Sequence, residues 1–185
     1  MKMRWGAVVV AATMVAVALP RVAISPALAA PVGGITKVVP LESANPLEVI
    51  FSPDGSTAYI SEHETVGKVA KIDASTDTVV SSATVGDHPI GLALFGSSLY
   101  VANRNDNTAS AVNTSDMTST SIGMSLNGSG FPFRDAVSPD GAKLYVANGA
   151  NGSSNTVSVI DTSSKTETGT IAVGSNPFEI GRAHV

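Results

Sequence analysis

The sequence predicts an all-β fold assembled from one repeated sheet unit, and three observations predict it. Apolar residues make up 43% of the 185-residue chain and charged residues only 14%, against about 25% charged in ordinary globular domains. Gly, Ser, Thr, Asn and Val are plentiful and helix formers sparse beyond the first thirty residues, a bias that suits strands and tight turns. Pro46, Pro89, Pro132 and Pro177 each close a short polar or Gly-containing segment, at spacings of 43, 43 and 45 residues. A fixed period in this range marks a stacked or circular repeat. After each of the first three prolines the same strand and turn signals follow in order. Four short antiparallel strands per unit of about 43 residues describe a β-propeller blade.

The N-terminus reads as a leader. Lys2 and Arg4 precede an apolar run, Gly6 to Pro20, and Ala27-Leu28-Ala29 supplies small residues where a signal peptidase cuts. We therefore expect residues 1–29 to be a signal peptide, with the run too short for the roughly 20 residues that span a bilayer. Loss of Lys2, Arg4 and Arg21 with it takes the net charge from −4 to −7. There is no Cys, which excludes disulfides, thiolate metal sites and a Cys nucleophile.

Residues 30–180 are then a partial propeller. Ile35 to Val39 (35–39) reads as a lone strand, of the kind that completes the last blade of a closed ring. The blades fall at 46–88, 89–131 and 132–176. The third is the clearest. Phe133 to Val137 is a short apolar strand, and Ser138-Pro139-Asp140-Gly141 is a hairpin turn in which Pro presets φ and Gly takes the left-handed position. Lys143 to Ala147 is the second strand, Thr156 to Asp161 the third and Thr166 to Val173 the fourth. The first blade repeats Ser52-Pro53-Asp54-Gly55 and places Asp73 where the third has Asp161. The middle blade departs, with Phe95-Gly96-Ser97 as its turn and Asn113 in place of the Asp. Glu179 to Val185 matches a sequencing adapter read in frame, so residues 181–185 are expected to be a non-native tail.

These motifs carry a resemblance. Asn176-Pro177, Ser138-Pro139-Asp140-Gly141, Leu144-Tyr145-Val146-Ala147-Asn148 and Thr156-Val157-Ser158-Val159-Ile160-Asp161 resemble the YVTN β-propeller repeat, whose members are largely secreted or cell-surface proteins of bacteria and archaea. Lactonase-like propellers use similar repeats. The resemblance covers Ile35 to about Phe178 and implies a ring of about seven blades. This chain holds about three of them, and C-terminal blades beyond it would close the ring.

Asp54, Asp140, Asp73 and Asp161 are read as turn residues, because one such Asp per blade puts them far apart around a ring. Tyr59, Tyr100 and Tyr145 recur at one strand position, which points to packing. Function in propellers sits at the channel mouth, on the loops before each first strand and between second and third strands. There the candidate binding residues are Glu62, His63, His88, Asn103, Arg104, Arg134 and Asn148, beside Asn45, Glu64 and Asp106. Arg134 breaks the repeat, since the other blades carry Leu47-Glu48 and Ile90-Gly91. No spacing reproduces a metal-ligand pattern, and no phosphate-cradling loop, nucleophile elbow or basic aromatic patch occurs. Neither cofactor nor metal is called for, and a charge of −7 argues against nucleic acid.

The sequence thus predicts an exported binding or scaffold module, periplasmic, secreted or on the bacterial cell surface, with a protein or surface glycan as partner. It predicts no membrane span after cleavage. The alternative is a lactonase-like or other metal-dependent hydrolase that uses the channel mouth.

Overall fold

The strand and turn signals become hairpins at the expected places. In a computed structural model, residues 14–18, 37–43, 45–126, 130–149 and 154–181 are described, so the expected leader and tail lie mostly outside them. Two strands come first, β1 (Met14–Ala18) and β2 (Lys37–Leu41), paired in parallel. The first four-stranded antiparallel sheet is β3 (Pro46–Phe51), β4 (Thr57–Glu62), β5 (Lys68–Asp73) and β6 (Thr78–Thr84). The second is β7 (Pro89–Phe95), β8 (Ser98–Asn103), β9 (Thr108–Asn113) and β10 (Ser119–Gly123). The third is β11 (Pro132–Val137), β12 (Lys143–Asn148), β13 (Thr156–Asp161) and β14 (Thr166–Ala172). Each sheet is a meander in chain order, as a blade requires.

Turn chemistry explains why the hairpins close where they do. In the first and third sheets the Pro-Asp-Gly turn puts Gly55 at φ 72° and Gly141 at φ 75°, a region open to glycine without steric cost. Asp54 Oδ1 accepts from Ser52 Oγ at 2.5 Å and Ser56 N at 3.1 Å; Asp140 Oδ1 accepts from Ser138 Oγ at 2.5 Å and Ala142 N at 3.0 Å. These bonds hold both carboxyls below the usual carboxylate range. The turn between third and fourth strands works the same way. Asp73 Oδ1 accepts from the amides of Ser75 and Thr76, and Asp161 Oδ1 from those of Ser163 and Ser164. The middle sheet substitutes Asn113, whose Oδ1 accepts from Ser115 N at 3.0 Å. A neutral amide oxygen does the same work, so that departure leaves the architecture intact.

The sheets stack face to face, and the recurring tyrosines mark the stacking. Tyr59 of the first sheet packs with Leu92, Leu99, Val101 and Val112 of the second. Tyr100 of the second packs in one cluster with Val137, Leu144, Val146 and Ile160 of the third. Tyr59 and Tyr100 are buried, whereas Tyr145, at the same position in the third sheet, is only half-buried, with Ile171 exposed on β14. On the other side, Val39 and Leu41 of β2 pack with Ala58, Ile60, Ala70 and Ile72 of the first sheet. The strand expected to stand alone at 35–39 is thus β2, two residues further along, paired with β1 and packed over a face of the first sheet.

The first strands β3, β7 and β11 follow one another across the sheets, β7 lying against both β3 and β11, and β4 also approaches β7, β8 approaches β11 and β10 approaches β14. Each first strand carries a register irregularity just after its proline, between Pro46 and Val49, Pro89 and Leu92, and Pro132 and Arg134. A bulge re-aims the side chains beside it. Here it acts on the strand that faces the axis.

Candidate functional site

One end of the three sheets gathers the loops named from the sequence. The residue after each second strand bonds back to the residue before each proline: His63 N to Asn45 O at 2.8 Å, Arg104 N to His88 O at 3.1 Å, and Gly149 N to Phe131 O at 3.2 Å. His88 N also donates to Glu64 O, in the loop between β4 and β5, at 2.9 Å. Repetition of these bonds fixes the candidate side chains on one surface.

On that surface the His63 and His88 rings meet edge to face at 4.5 Å between centroids. Burial lowers the His63 pKa, which keeps that imidazole neutral near pH 7. His88 sits at φ 53°, and its Nδ1 faces the Asp87 carboxylate and, at 2.9 Å, the Asn105 amide. The Arg104 guanidinium carbon lies 5.3 Å from the centre of the Phe131 ring, a cation–π distance. Asn45 Nδ2 donates to Glu64 Oε1 at 2.8 Å, and Asp106 Oδ2 accepts from Asp87 N at 3.0 Å. Both histidines, Arg104 and Phe131 remain partly exposed.

Three of the sequence candidates lie elsewhere. Glu62, Asn103 and Asn148 end the second strands at one repeat position and are buried, Glu62 at 1% exposure. Asn103 Nδ2 donates to Thr108 Oγ1 and Ser110 Oγ, and Asn148 Nδ2 to Thr156 Oγ1 and Ser158 Oγ. These amides pin the second strand to the third inside a blade. In the first blade Lys68 and Ala70 replace the hydroxyl residues, and Glu62 Oε2 instead accepts from Ser43 N at 2.7 Å. The signal was readable: Asn occurs where Thr-x-Ser follows, and Glu where Lys-x-Ala follows.

Arg134 belongs to a second group, on the axis-facing strands. Glu48, Gly91 and Arg134 share one repeat position in successive blades. Gly91 has no side chain, so Glu48 and Arg134 meet across the middle blade as an ion pair. Glu48 Oε2 also accepts from Leu92 N at 2.8 Å. Burial raises the Glu48 pKa, partly offset by Arg134. Next along, Val49, Leu92 and Asp135 share a position. Asp135 is 7% exposed, and neither carboxyl oxygen has a hydrogen-bond partner among the described residues. Burial pushes its pKa well above the usual carboxylate range, and the nearby Glu48 adds to that rise. A cavity of about 270 Å³ opens beside it, walled by β3, β7 and β11 and by Ile180. Sequence reasoning flagged Arg134 and missed both Glu48 as its partner and Asp135. Alignment on the 43-residue period exposes Asp135, since it alone is polar at its position.

Among the described residues, no group of three His, Asp or Glu side chains could hold a metal ion, and no helix is long and apolar enough to cross a membrane.

Comparison with solved structures agrees with this geometry. The hydrazine synthase of Kuenenia stuttgartiensis superposes with a TM-score of 0.66 at 27% identity, over 80% of this chain and 40% of that one. The fold is a β-propeller. A chain of the nidogen/laminin complex matches with a TM-score of 0.55 at 17% identity, over 71% of this chain and 48% of that one. The chain thus spans less than half the length of either. No protein-family model matches the sequence, and no curated protein matches it.

Proposed function

We propose that this propeller segment is an exported binding module that recognises a protein or cell-surface glycan through its loop face. The observation that carries this reading is the convergence of His63, His88, Arg104 and Phe131, from consecutive blades, on one partly exposed surface. Aromatic rings and arginine are the side chains enriched at recognition surfaces, because they present large contact area with few torsions to freeze. Neutral His63, the Asn45 and Asn105 amides and the carboxylates of Asp87 and Asp106 add directional hydrogen-bonding groups. Such a surface suits hydroxyl-rich or peptide ligands more than phosphate. Export rests on the leader pattern of residues 1–29, and the resemblance to YVTN-type repeats supports a surface role.

Two experiments test this. The full chain, expressed with its leader in a bacterial host, should leave the cytoplasm and begin at Ala30; retention of Met1 on the mature protein would refute export. Purified chain on glycan and extracellular-protein arrays should show specific binding that Arg104→Ala or His88→Ala weakens by about tenfold. Lys165→Ala, in the turn between β13 and β14 at the far end of the sheets, should leave binding unchanged. Binding indifferent to Arg104 and His88, or lactone hydrolysis stimulated by a divalent metal, would overturn the reading.

A further inference from the structure

In each blade the residue after the second strand comes back against the segment around the next proline. In the third blade that residue is Gly149, and Pro177 O stands 2.4 Å from where its Cβ would be, so no side chain fits. In the second blade it is Arg104, a permanent cation 5.3 Å from the centre of the Phe131 ring. In the first blade it is His63, and the partner is a second imidazole, His88, edge to face at 4.5 Å. Of the three contacts, this one is made of two rings that take up protons in mild acid.

Both rings are fixed by what surrounds them. Pro89 O can only accept, so His63 Nδ1 carries the proton and donates to it at 3.4 Å, which leaves Nε2 as the basic nitrogen. His88 stands at φ 53°, and Asn176 takes the same region at φ 65° at the same repeat position. Its Nδ1 faces the Asp87 carboxylate and the Asn105 amide. Beneath the rings the backbone is tied: His88 N donates to Glu64 O and Val85 N to Gly67 O, each at 2.9 Å. The charged groups around the pair are Glu64 on the β4–β5 loop, Asp87 on the segment before β7, and Arg104 and Asp106 on the loop between β8 and β9.

We propose that the His63–His88 contact is an acid-operated clasp, closed near neutrality and opened by protonation of His63, which frees the β4–β5 loop from the segment before β7 and releases what the loop face holds. A charged His63 meets partial burial, the His88 ring and the Arg104 guanidinium. These lower its pKa and outweigh the opposing pull of Pro89 O and Glu64. In the open loop the imidazole regains its ordinary value of about 6.5. The closed form is therefore fully favoured above that pH and weakens as pH falls toward the depressed value. One proton taken up per opening raises the opening constant by up to about tenfold per pH unit across that window. What the clasp releases rests on the loop-face reading; the clasp itself is tested without a ligand.

The test is amide hydrogen exchange on the ligand-free full chain at pH 7 and pH 5, corrected for the intrinsic exchange rate at each pH. Protection of the His88 amide should fall about tenfold at the lower pH, while that of Gly149, bonded to Phe131 O, changes by less than about twofold. His63→Phe keeps a ring in place that carries no charge, and the fall at His88 should vanish. His88→Asn, which copies Asn176 and suits the same backbone, should reduce the fall at residue 88 several-fold. Equal protection at the two pH values in the wild-type chain, an undiminished fall in either variant, or an equal fall at Gly149 would overturn the proposal. Absence of binding on the arrays refutes the loop-face reading alone, because no ligand enters this measurement.

Discussion

Replacing Asp135 by leucine should stabilise the protein, by an amount that grows with pH. The substitution removes a buried carboxyl without partners, worth about 1–3 kcal/mol. It buries an aliphatic side chain worth about 1.5–3 kcal/mol, as Leu92 does in the preceding blade. Leucine is bulkier than aspartate, and crowding against the Gly91 backbone takes back about 1–3 kcal/mol. A net gain of about 1–3 kcal/mol remains, in line with buried charged groups exchanged for packed hydrophobes. The pH dependence follows from the raised carboxyl pKa. The folded state keeps a proton that the unfolded chain releases in the ordinary carboxylate range. Wild-type stability therefore falls as pH rises from that range up through the folded-state value. Asp135→Leu lacks this loss, so its advantage is smallest near pH 4 and largest above the folded pKa. Urea denaturation followed by far-ultraviolet circular dichroism at several pH values measures it. A Leu variant less stable than wild type at every pH, or one whose advantage shrinks as pH rises, would refute the reasoning.

Other outcomes follow from the same geometry. Gly91→Ala places a Cβ 2.6 Å from Asp135 Oδ1 and 2.9 Å from Phe133 O; it should cost about 1–3 kcal/mol by overpacking, relieved in part when Asp135 is also shortened to Ala, as a double-mutant cycle would show. Asn148→Ala strips Thr156 and Ser158 of a shared donor and should cost about 1–3 kcal/mol, while Glu62→Ala should leave the β4–β5 pairing intact and expose its effect at Ser43. The Asp161 carboxyl, held to about 2 by its bonds to Ser163 and Ser164, should titrate there by NMR. Its stabilising effect is present above the ordinary carboxylate pKa and lost as pH falls through about 2. Asp161→Asn should retain the turn, as Asn113 does in the second blade, whereas Asp161→Ala should speed amide exchange at Ser163.

How much of this was legible in the sequence depends on the range of the interactions. Turns were legible because their chemistry is local: the Asp54 and Asp140 side chains bond within two residues, and those of Asp73 and Asp161 within three. Blade boundaries were legible because the prolines recur. The shared surface of His63, His88 and Arg104 followed from repeat topology, but their ring contacts did not, since each joins the loop after a second strand to the residue before the next proline, 25 and 27 positions on. Asn103 and Asn148 were placed at the channel mouth by position, yet their side chains turn inward to hydroxyls in the next strand. The Glu48–Arg134 pair skips a blade and exists only because Gly91 leaves the path open. No pairwise reading of neighbouring repeats would find it. Asp135 stands out in the sequence only once the blades are aligned, as the lone polar residue at a position where the others carry Val49 and Leu92.

Three blades converge on one axis, with β3, β7 and β11 side by side around the cavity. A double-mutant cycle of Glu48→Gln and Arg134→Met tests this convergence most directly, because these residues are 86 positions apart in sequence and meet only if blades one and three flank the same channel. Convergence predicts a coupling of about 0.5–3 kcal/mol in urea denaturation. Additive effects of the two substitutions would contradict it.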